Sequence, residues 1–175
     1  MNFHGKRQLS IWLGRFPPLR WGMHLAATLM APRQPVGAVG AVFNDVGQVL
    51  LVEHVFRTDF PWGLPGGWIE QGEDPADTVR REIEEELELK VQVKHLLLSG
   101  QVGLTSRSIH PPHLGLAFYC RFVSGECVIT PEVLSVEWTE PQNIQRELAP
   151  FQYRAIMLAK EIFDHERLSA QADQS

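Results

Sequence analysis

The sequence predicts an α/β fold in which a mixed β-sheet lies between helices. Short β-branched, apolar runs bounded by glycine and other turn residues indicate several strands. Two segments with apolar residues at helical spacing indicate one central and one C-terminal helix. The length of 175 residues, with 44% hydrophobic residues, is typical of one domain with one core. We therefore expect an α/β/α sandwich preceded by a helical extension.

The N-terminal extension, residues 1–35, is basic and amphipathic. The first acidic residue is Asp45, so residues 1–44 carry a charge of +5, whereas the whole chain carries −5. Trp21, Leu25 and Leu29 recur at four-residue spacing and predict a short helix over residues 19–31. This apolar stripe must be buried, either on the protein's own core or, as we prefer, in a homodimer. Contact with anionic lipid or nucleic acid is the alternative.

The location that the sequence favours is the cytoplasm. No apolar run reaches the roughly 18 residues that a membrane-spanning helix needs. Pro17, Pro18 and Arg20 interrupt the apolar stretch that a secretory signal would require. An acid-free amphipathic leader also suits an organellar transit peptide, so that alternative stays open.

A domain over residues 36–168 follows, with a disordered tail expected from 169 to 175. Its first two strands, at 36–44 and 48–54, form a hairpin around Asp45, Val46 and Gly47. Residues 62–68 are rich in glycine and proline and are expected to form a rigid loop. Further strands are predicted at 89–98, 114–123, 127–130 and 133–138, with a turn at Ser124 and Gly125, and a last helix at about 150–165.

The central helix has the clearest start signal, because Asp74 can cap it and Pro75 suits its first position. It should run to about Leu87. A helical projection places the carboxylates of Glu82, Glu85 and Glu86 on one arc at the rim, beside a buried apolar arc. Three acids on one arc repel one another unless cations neutralise them, which favours a hard ion such as Mg²⁺ or Mn²⁺. The alternative is an ordinary solvated helix face.

The spacing of these residues resembles the Nudix box. Gly67 is followed after five residues by Glu73, and after seven more by Arg81-Glu82-Ile83, then Glu85-Glu86. One position departs from the pattern, since Glu88 stands where the family has its last glycine. In the family this glycine follows the helix, where a left-handed backbone is expected, so a residue with a Cβ there should cost about 1–2 kcal/mol.

The resemblance implies an α/β/α sandwich, hydrolysis of a pyrophosphate bond and a divalent metal, Mg²⁺ or Mn²⁺. Carried over by position, it implies metal binding by Glu82, Glu85, Glu86 and the carbonyl of Gly67. Glu73 and Arg81 would form an ion pair that fixes the loop against the helix, and one of the helix glutamates or a nearby acid would deprotonate water.

Three functions are compatible with this resemblance. The first is hydrolysis of a nucleoside diphosphate linked to another moiety, such as a sugar or a second nucleoside. The second is a MutT-type nucleoside triphosphate pyrophosphatase that removes damaged nucleotides. The third is a non-catalytic ligand-sensing module, which the three retained glutamates disfavour. No DNA-binding helix-turn-helix pattern is visible, so we expect a small nucleotide substrate and no nucleic-acid partner.

Residues outside the box have weaker signals. Arg57 lies just before the box and could bind a phosphate, or could be a surface arginine. Glu132 precedes the strand at 133–138 and is a candidate general base, or a solvated turn acid. His110, Pro111, Pro112 and His113 suggest a metal site, but the prolines favour an extended loop that borders the active site. The aromatic residues near the box, which could stack a base or belong to the core, are Phe56, Phe60, Trp62 and Trp68.

Overall fold

The computed structural model describes residues 17–30, 34–55, 57, 59–103 and 112–172. The chain divides into two compact units, Met1–Gln34 and Pro35–Ser175. Phe56, His110 and Pro111, which the sequence placed near the site, lie outside the described residues. In the described part, no helix combines the length and apolar character needed to cross a bilayer.

The first unit contains one described helix, α1 (Pro17–Met30). Two prolines occupy its first turn, where the missing N–H groups have no helical acceptor to lose. Trp21 is 69% exposed and Leu29 is 70% exposed, and Leu25 is exposed as well. The apolar stripe predicted from their spacing is therefore a solvent-facing surface of α1.

The second unit is an α/β/α sandwich, which confirms the predicted fold class. Its elements are β1 (Val36–Phe43), β2 (Val49–His54), β3 (Trp62–Gly63), β4 (Gly66–Trp68), α2 (Pro75–Leu87), β5 (Lys90–Val102), β6 (His113–Ser124), β7 (Val133–Thr139), a 3₁₀ turn (Pro141–Asn143) and α3 (Pro150–Ala172). The strand order is β3-β2-β1-β6-β5, with β4 added to β1 and β7 added to β2. The sheet is mixed, because β1 pairs in parallel with β6 and antiparallel with β2 and β4.

Within the second unit, α2 and α3 cover opposite faces of the sheet. Alternate side chains of β1 point to opposite faces, as in any strand. Ala38 and Val42 belong to the apolar cluster of α2, whereas Ala41 and Phe43 belong to the cluster of α3. The predicted apolar arc of α2 is buried at Val79, Ile83 and Leu87.

The hairpin between β1 and β2 is present, and it diverges after one residue pair, Phe43 with Val49. The Asn44 side chain accepts hydrogen bonds from the backbone N–H groups of Val46 and Gln48, which closes the turn. Gly47 supplies the positive φ of 91° that the turn needs. Because β1 and β2 separate, β4 pairs with the first half of β1 and β3 pairs with the end of β2.

Three details of the predicted elements are wrong. Residues 62–68 are not purely loop, since they contain β3 and β4, which exist through pairing with β2 and β1. Residues 127–130 are not a strand: β7 pairs with β2 instead, and the Val128 N–H donates to the Leu87 carbonyl at the end of α2 (3.1 Å). The turn after Ser124 therefore joins no hairpin.

The C-terminal helix is longer than predicted. It continues through Ser169, where the disordered tail was expected to begin, as far as Ala172. The added residues include two alanines and a glutamine, which favour helix, and they extend a helix already anchored by Ile156 and Phe163 in the core. Residues 173–175 lie outside the described part.

Candidate active site

The start of α2 is fixed by its own loop. The Asp74 side chain accepts a hydrogen bond from the Ala76 N–H (2.8 Å), and Pro75 occupies the first helical position. Both features were expected from the sequence. An oxygen at this position satisfies a backbone donor that the helix itself cannot.

Glu73 and Arg81 join this loop to the helix. The Glu73 carboxylate accepts from Arg81 Nε (2.9 Å) and Nη2 (3.1 Å), and the buried Thr78 hydroxyl donates to it at 2.7 Å. Hydrogen bonds from Arg81, Thr78 and the Glu70 N–H, in that order, lower the pKa of Glu73 to about 2. The same contacts with Glu73, followed by those with Glu82, raise the pKa of Arg81. The loop and the helix therefore form one unit that is fixed by charge-assisted hydrogen bonds.

The three carboxylates of α2 have different environments. Glu85 is exposed, Glu82 is half-buried, and Glu86 is buried with 8% of its surface exposed. The expected placement of all three at an exposed rim is therefore wrong for Glu86. Its position on the projection borders the apolar arc, and His54, at the end of β2, approaches it from that side.

Burial changes the acidity of two of these groups. It raises the pKa of Glu86 to about 7, with further contributions from the charges of Glu82 and Glu132, while Arg57 opposes the shift. Burial also raises the pKa of Glu82, against the effect of its hydrogen bond with Arg81. A raised pKa means that the ionised form of the carboxyl group is disfavoured, and a nearby cation would stabilise that form.

Gly67 faces Glu82 directly. A Cβ built on Gly67 would overlap the Glu82 carboxyl group and stand 2.6 Å from its Oε2. The glycine is needed here because the carboxylate fills the space where any side chain would lie. The backbone of the loop and the acid of the helix consequently meet at one point.

A second group of polar side chains approaches from β2. His54, at the end of β2, is buried, and its Nδ1 lies 3.8 Å from Glu86 Oε1. Burial, and then the charge of Arg57, lower the pKa of His54 to about 3, so its imidazole is neutral at pH 7. Arg57 follows three residues later, near enough to Glu86 for each charge to shift the pKa of the other. The structure thus brings Arg57 to the carboxylate site.

The family comparison agrees with this arrangement. The family model described as NUDIX domain matches residues 33–159. The chain belongs to the Nudix family. The box residues described above, from Gly67 to Glu86, lie within the matched range.

Two curated Nudix relatives illustrate the range of the family. The mouse protein "Nucleoside diphosphate-linked moiety X motif 6" is 32% identical over 146 residues, which cover 79% of this chain and 42% of that protein. The chain thus spans less than half of the mouse protein's length. A "MutT-like protein" of Streptomyces ambofaciens is 30% identical over 118 residues, 67% of this chain and 71% of the relative.

Solved structures share the Nudix fold. A UDP-X diphosphatase superposes with a TM-score of 0.62 at 19% identity, covering 83% of this chain and 72% of the other. A MutT Nudix hydrolase from Burkholderia pseudomallei has a TM-score of 0.60 at 24% identity, covering 73% and 98% of the two chains. At these identities, the similarity concerns the fold alone.

The carboxylates fit the divalent metal that a Nudix box implies, although they are not assembled around one point. Among the described residues, no three His, Cys, Asp or Glu side chains form a ready metal-binding group. Arg81 explains why: its Nη1 bonds Glu82 Oε1 (2.9 Å) and Glu85 Oε2 (3.1 Å) and so holds these two carboxylates beside its own guanidinium. Glu86 Oε2, in contrast, is buried without a hydrogen-bond partner. Carboxylate and carbonyl oxygens of this kind are the ligands that Mg²⁺ and Mn²⁺ prefer.

The remaining predicted residues have different environments. The Glu132 backbone carbonyl accepts from the Val55 N–H (3.1 Å), and the Glu132 charge acts on Glu86. Trp62 is buried in the core, whereas Trp68, beside Gly67, is 45% exposed and contacts His113 edge to face at 4.7 Å between ring centroids.

The sequence analysis missed His54 and Thr78. In the sequence, Thr78 looks like any other helix residue, because its hydrogen bond with Glu73 depends on how the loop before α2 folds against the helix. His54 ends an apolar strand, and a histidine there, three residues before Arg57 and close to a glycine-rich loop, was the available signal.

Proposed function

We propose that this protein hydrolyses a pyrophosphate bond in a nucleoside diphosphate linked to another moiety. The observation that carries the proposal is the convergence of Gly67 with Glu82 of α2, with Glu85 and Glu86 on the same helix. This juxtaposition brings the loop backbone at Gly67 next to carboxylates of the helix, and oxygen ligands of this kind suit hard divalent cations.

The metal would be Mg²⁺ or Mn²⁺, held by Glu82, Glu85, Glu86 and the Gly67 carbonyl. When bound, it would neutralise phosphate charge and lower the pKa of the attacking water. For its part, the chain keeps Gly67 and Glu82 in register through the ion pair between Glu73 and Arg81. Arg81 Nη1 also holds Glu82 and Glu85 while their charges are otherwise uncompensated, and it would release them to the metal.

Two sources of the general base remain open. Glu132 is supported by its electrostatic effect on Glu86, which places its charge close to the carboxylates. The alternative is one of the three helix glutamates. A base has to be ionised in order to accept a proton from water, and it has to lie within hydrogen-bond reach of that water.

Nucleotide sugars and related dinucleotides are the substrates we favour. The support is the mouse relative's name, which refers to nucleoside diphosphate-linked moieties. A MutT-type triphosphate pyrophosphatase is the second candidate, because the Streptomyces relative, of which the match covers 71%, is named MutT-like.

The test is a substrate panel with Mg²⁺ in which the products are identified. It should contain nucleotide sugars, dinucleoside polyphosphates, and ordinary and oxidised nucleoside triphosphates. Release of a nucleoside monophosphate and a phosphorylated moiety supports the first candidate, whereas release of pyrophosphate from triphosphates supports the second. Glu85→Gln is the inactive control, and Glu84→Gln, a neighbouring exposed carboxylate, is the matched active control. Wild-type inactivity on the whole panel would favour a ligand-sensing module.

We also propose a cytoplasmic homodimer in which α1 forms part of the interface. Support comes from the exposure of Trp21, Leu25 and Leu29 along one stripe of α1. Replacing these three residues by serine in the full chain should convert dimer to monomer, as measured by light scattering. An unchanged mass would contradict the role of α1.

A further inference from the structure

Three buried side-chain atoms have no hydrogen-bond partner among the described residues, and all three lie in one cluster. They are His54 Nε2, Arg57 Nη1 and Glu86 Oε2. The side chains of His54 and Glu86 approach to 3.8 Å, and the Arg57 backbone N–H faces the His54 carbonyl at 3.5 Å. Buried polar atoms are almost always paired, so unpaired atoms in one place indicate a ligand, an ion or a water molecule.

The Arg57 guanidinium lies in a slot under Gly63. A Cβ built on Gly63 would stand 2.7 Å from Arg57 Nη1 and would overlap the Gln152 amide oxygen. That oxygen already accepts the Leu64 N–H at 2.9 Å, so it has a fixed position at the start of α3. Gly63 therefore makes room for Arg57, and the first turn of α3 closes the other side of the slot.

The chemistry of the cluster is mixed. Arg57 offers only donors, and the Glu86 carboxylate offers only acceptors. An isolated anion would be repelled by Glu86, and an isolated cation would be repelled by Arg57. A metal ion with a bound phosphate would suit both side chains, because the metal would bind the Glu86 carboxylate and a phosphate oxygen would accept from the Arg57 guanidinium.

We propose that Arg57 binds a phosphate oxygen of the metal-bound substrate, and that Gly63 positions the guanidinium for this contact. The inference rests on the proposed function, since it assumes a pyrophosphate substrate that is bound to a metal ion at Glu86. It adds a phosphate-binding subsite, built from β2, β3 and the start of α3, to the carboxylates of the box.

Methylenediphosphonate is the probe, because it cannot be hydrolysed and it lacks a nucleoside. Its affinity in the presence of Mg²⁺, and the affinity of Mg²⁺ alone, are measured by calorimetry for wild type and Arg57→Met. We expect the diphosphonate to bind at least about tenfold more weakly to the variant, as for one lost charge-assisted hydrogen bond. Mg²⁺ alone should bind equally or more tightly, because a cation next to Glu86 has been removed. The matched control is Arg121→Met, which removes an arginine paired with Asp45 and should change neither affinity.

Three results would overturn the inference. One is unchanged diphosphonate affinity in Arg57→Met. Another is a parallel loss of Mg²⁺ and diphosphonate affinity, which would assign Arg57 a purely structural role. The third is a wild-type protein that hydrolyses a substrate of the panel yet does not bind the diphosphonate. Inactivity on the whole panel would instead contradict the proposed function.

Gly63→Ala gives an independent test if Arg57→Met does not fold. The added methyl group should displace only the ends of Arg57 and Gln152, so the variant should fold and bind the diphosphonate more weakly. Gly100→Ala is the control, because a Cβ there would make ordinary 3.6 Å contacts with Phe151. Equal affinity in Gly63→Ala and wild type would overturn the assignment of the slot.

Discussion

The carboxyl group of Glu82 fills the space in front of Gly67, where a Cβ would stand 2.6 Å from Oε2. These residues lie fifteen positions apart, and the ion pair between Glu73 and Arg81 closes the loop that separates them. The contact between Gly67 and Glu82 therefore depends on the conformation of the whole loop. Glu73 and Arg81 fix that conformation, and they can do so without touching a substrate.

Gly67→Ala should reduce turnover by at least about tenfold while the protein stays folded. The methyl group would overlap the Glu82 carboxylate and force it to move, and small displacements of catalytic groups have large kinetic costs. Activity and the far-ultraviolet circular dichroism spectrum are measured together. Gly100→Ala is the control. Equal activity in the two variants would show that catalysis does not require the Glu82 carboxylate to lie against Gly67.

Glu85→Gln should lower turnover by orders of magnitude, whereas Glu84→Gln should leave it within a small factor. The two residues are adjacent, exposed and alike in charge, but only Glu85 shares an arc with Glu82 and Arg81. Excess EDTA should abolish activity in wild type and Glu84→Gln alike. Full turnover in EDTA, or equal rates in the two variants, would contradict the metal site.

Removing the charge of Glu86 should stabilise the metal-free protein at alkaline pH. Folding raises the pKa of Glu86 to about 7, so ionised Glu86 costs stability above that pH. Below pH 4.5 the group is protonated in both states and the cost is absent. In EDTA, Glu86→Gln should therefore melt several degrees above wild type at pH 8, with the difference closing towards pH 4.5.

Glu73→Gln is the control with the opposite sign. Its carboxylate has a pKa lowered to about 2, so ionised Glu73 stabilises the fold above pH 4.5, and this contribution disappears as the pH falls towards 2. The variant should melt below wild type at pH 7. If the melting temperatures of both variants shifted in the same direction at pH 8, the opposite pKa shifts assigned to Glu86 and Glu73 would be contradicted.

Local signals made α2 predictable. Asp74, Pro75 and the apolar period lie within the helix or next to it, so its bounds needed no tertiary information. The strands β3 and β4 were not predictable in this way, since two or three residues become strands only through pairing with β2 and β1. Residues 127–130 were wrongly predicted to be a strand for a similar reason: both edges of β6, which would be their hairpin partner, are already paired with β1 and β5.

The candidate site was predictable where it lies on one helix and not where it joins distant segments. Spacing alone brought Glu82, Glu85 and Glu86 together. It could not show that His54 approaches Glu86, or that Gln152 and Arg57 both lie next to Gly63, because those contacts depend on how β2 and α3 approach the loop.

Glu88 ends α2 in the left-handed conformation, with φ 55° and ψ 24°. It is the only residue other than glycine with positive φ in the described ranges. Its N–H donates to the Glu84 carbonyl at 3.0 Å, as is usual for a residue that closes a helix. The strained position expected from the missing glycine is thus present.

Glu88→Gly should raise the free energy of unfolding by about 1 kcal/mol and leave the catalytic rate within a small factor. Glycine adopts this conformation without steric cost, and the change also removes a negative charge from the negative end of the helix dipole. Thermal or urea unfolding measures the gain. Glu88→Gln separates the two causes, because it removes the charge and keeps the Cβ, so it should recover only the smaller, electrostatic part. Glu84→Gly, inside the helix, should instead lose about 1 kcal/mol. A less stable Glu88→Gly variant would mean that the Glu88 side chain makes a stabilising contact larger than the strain.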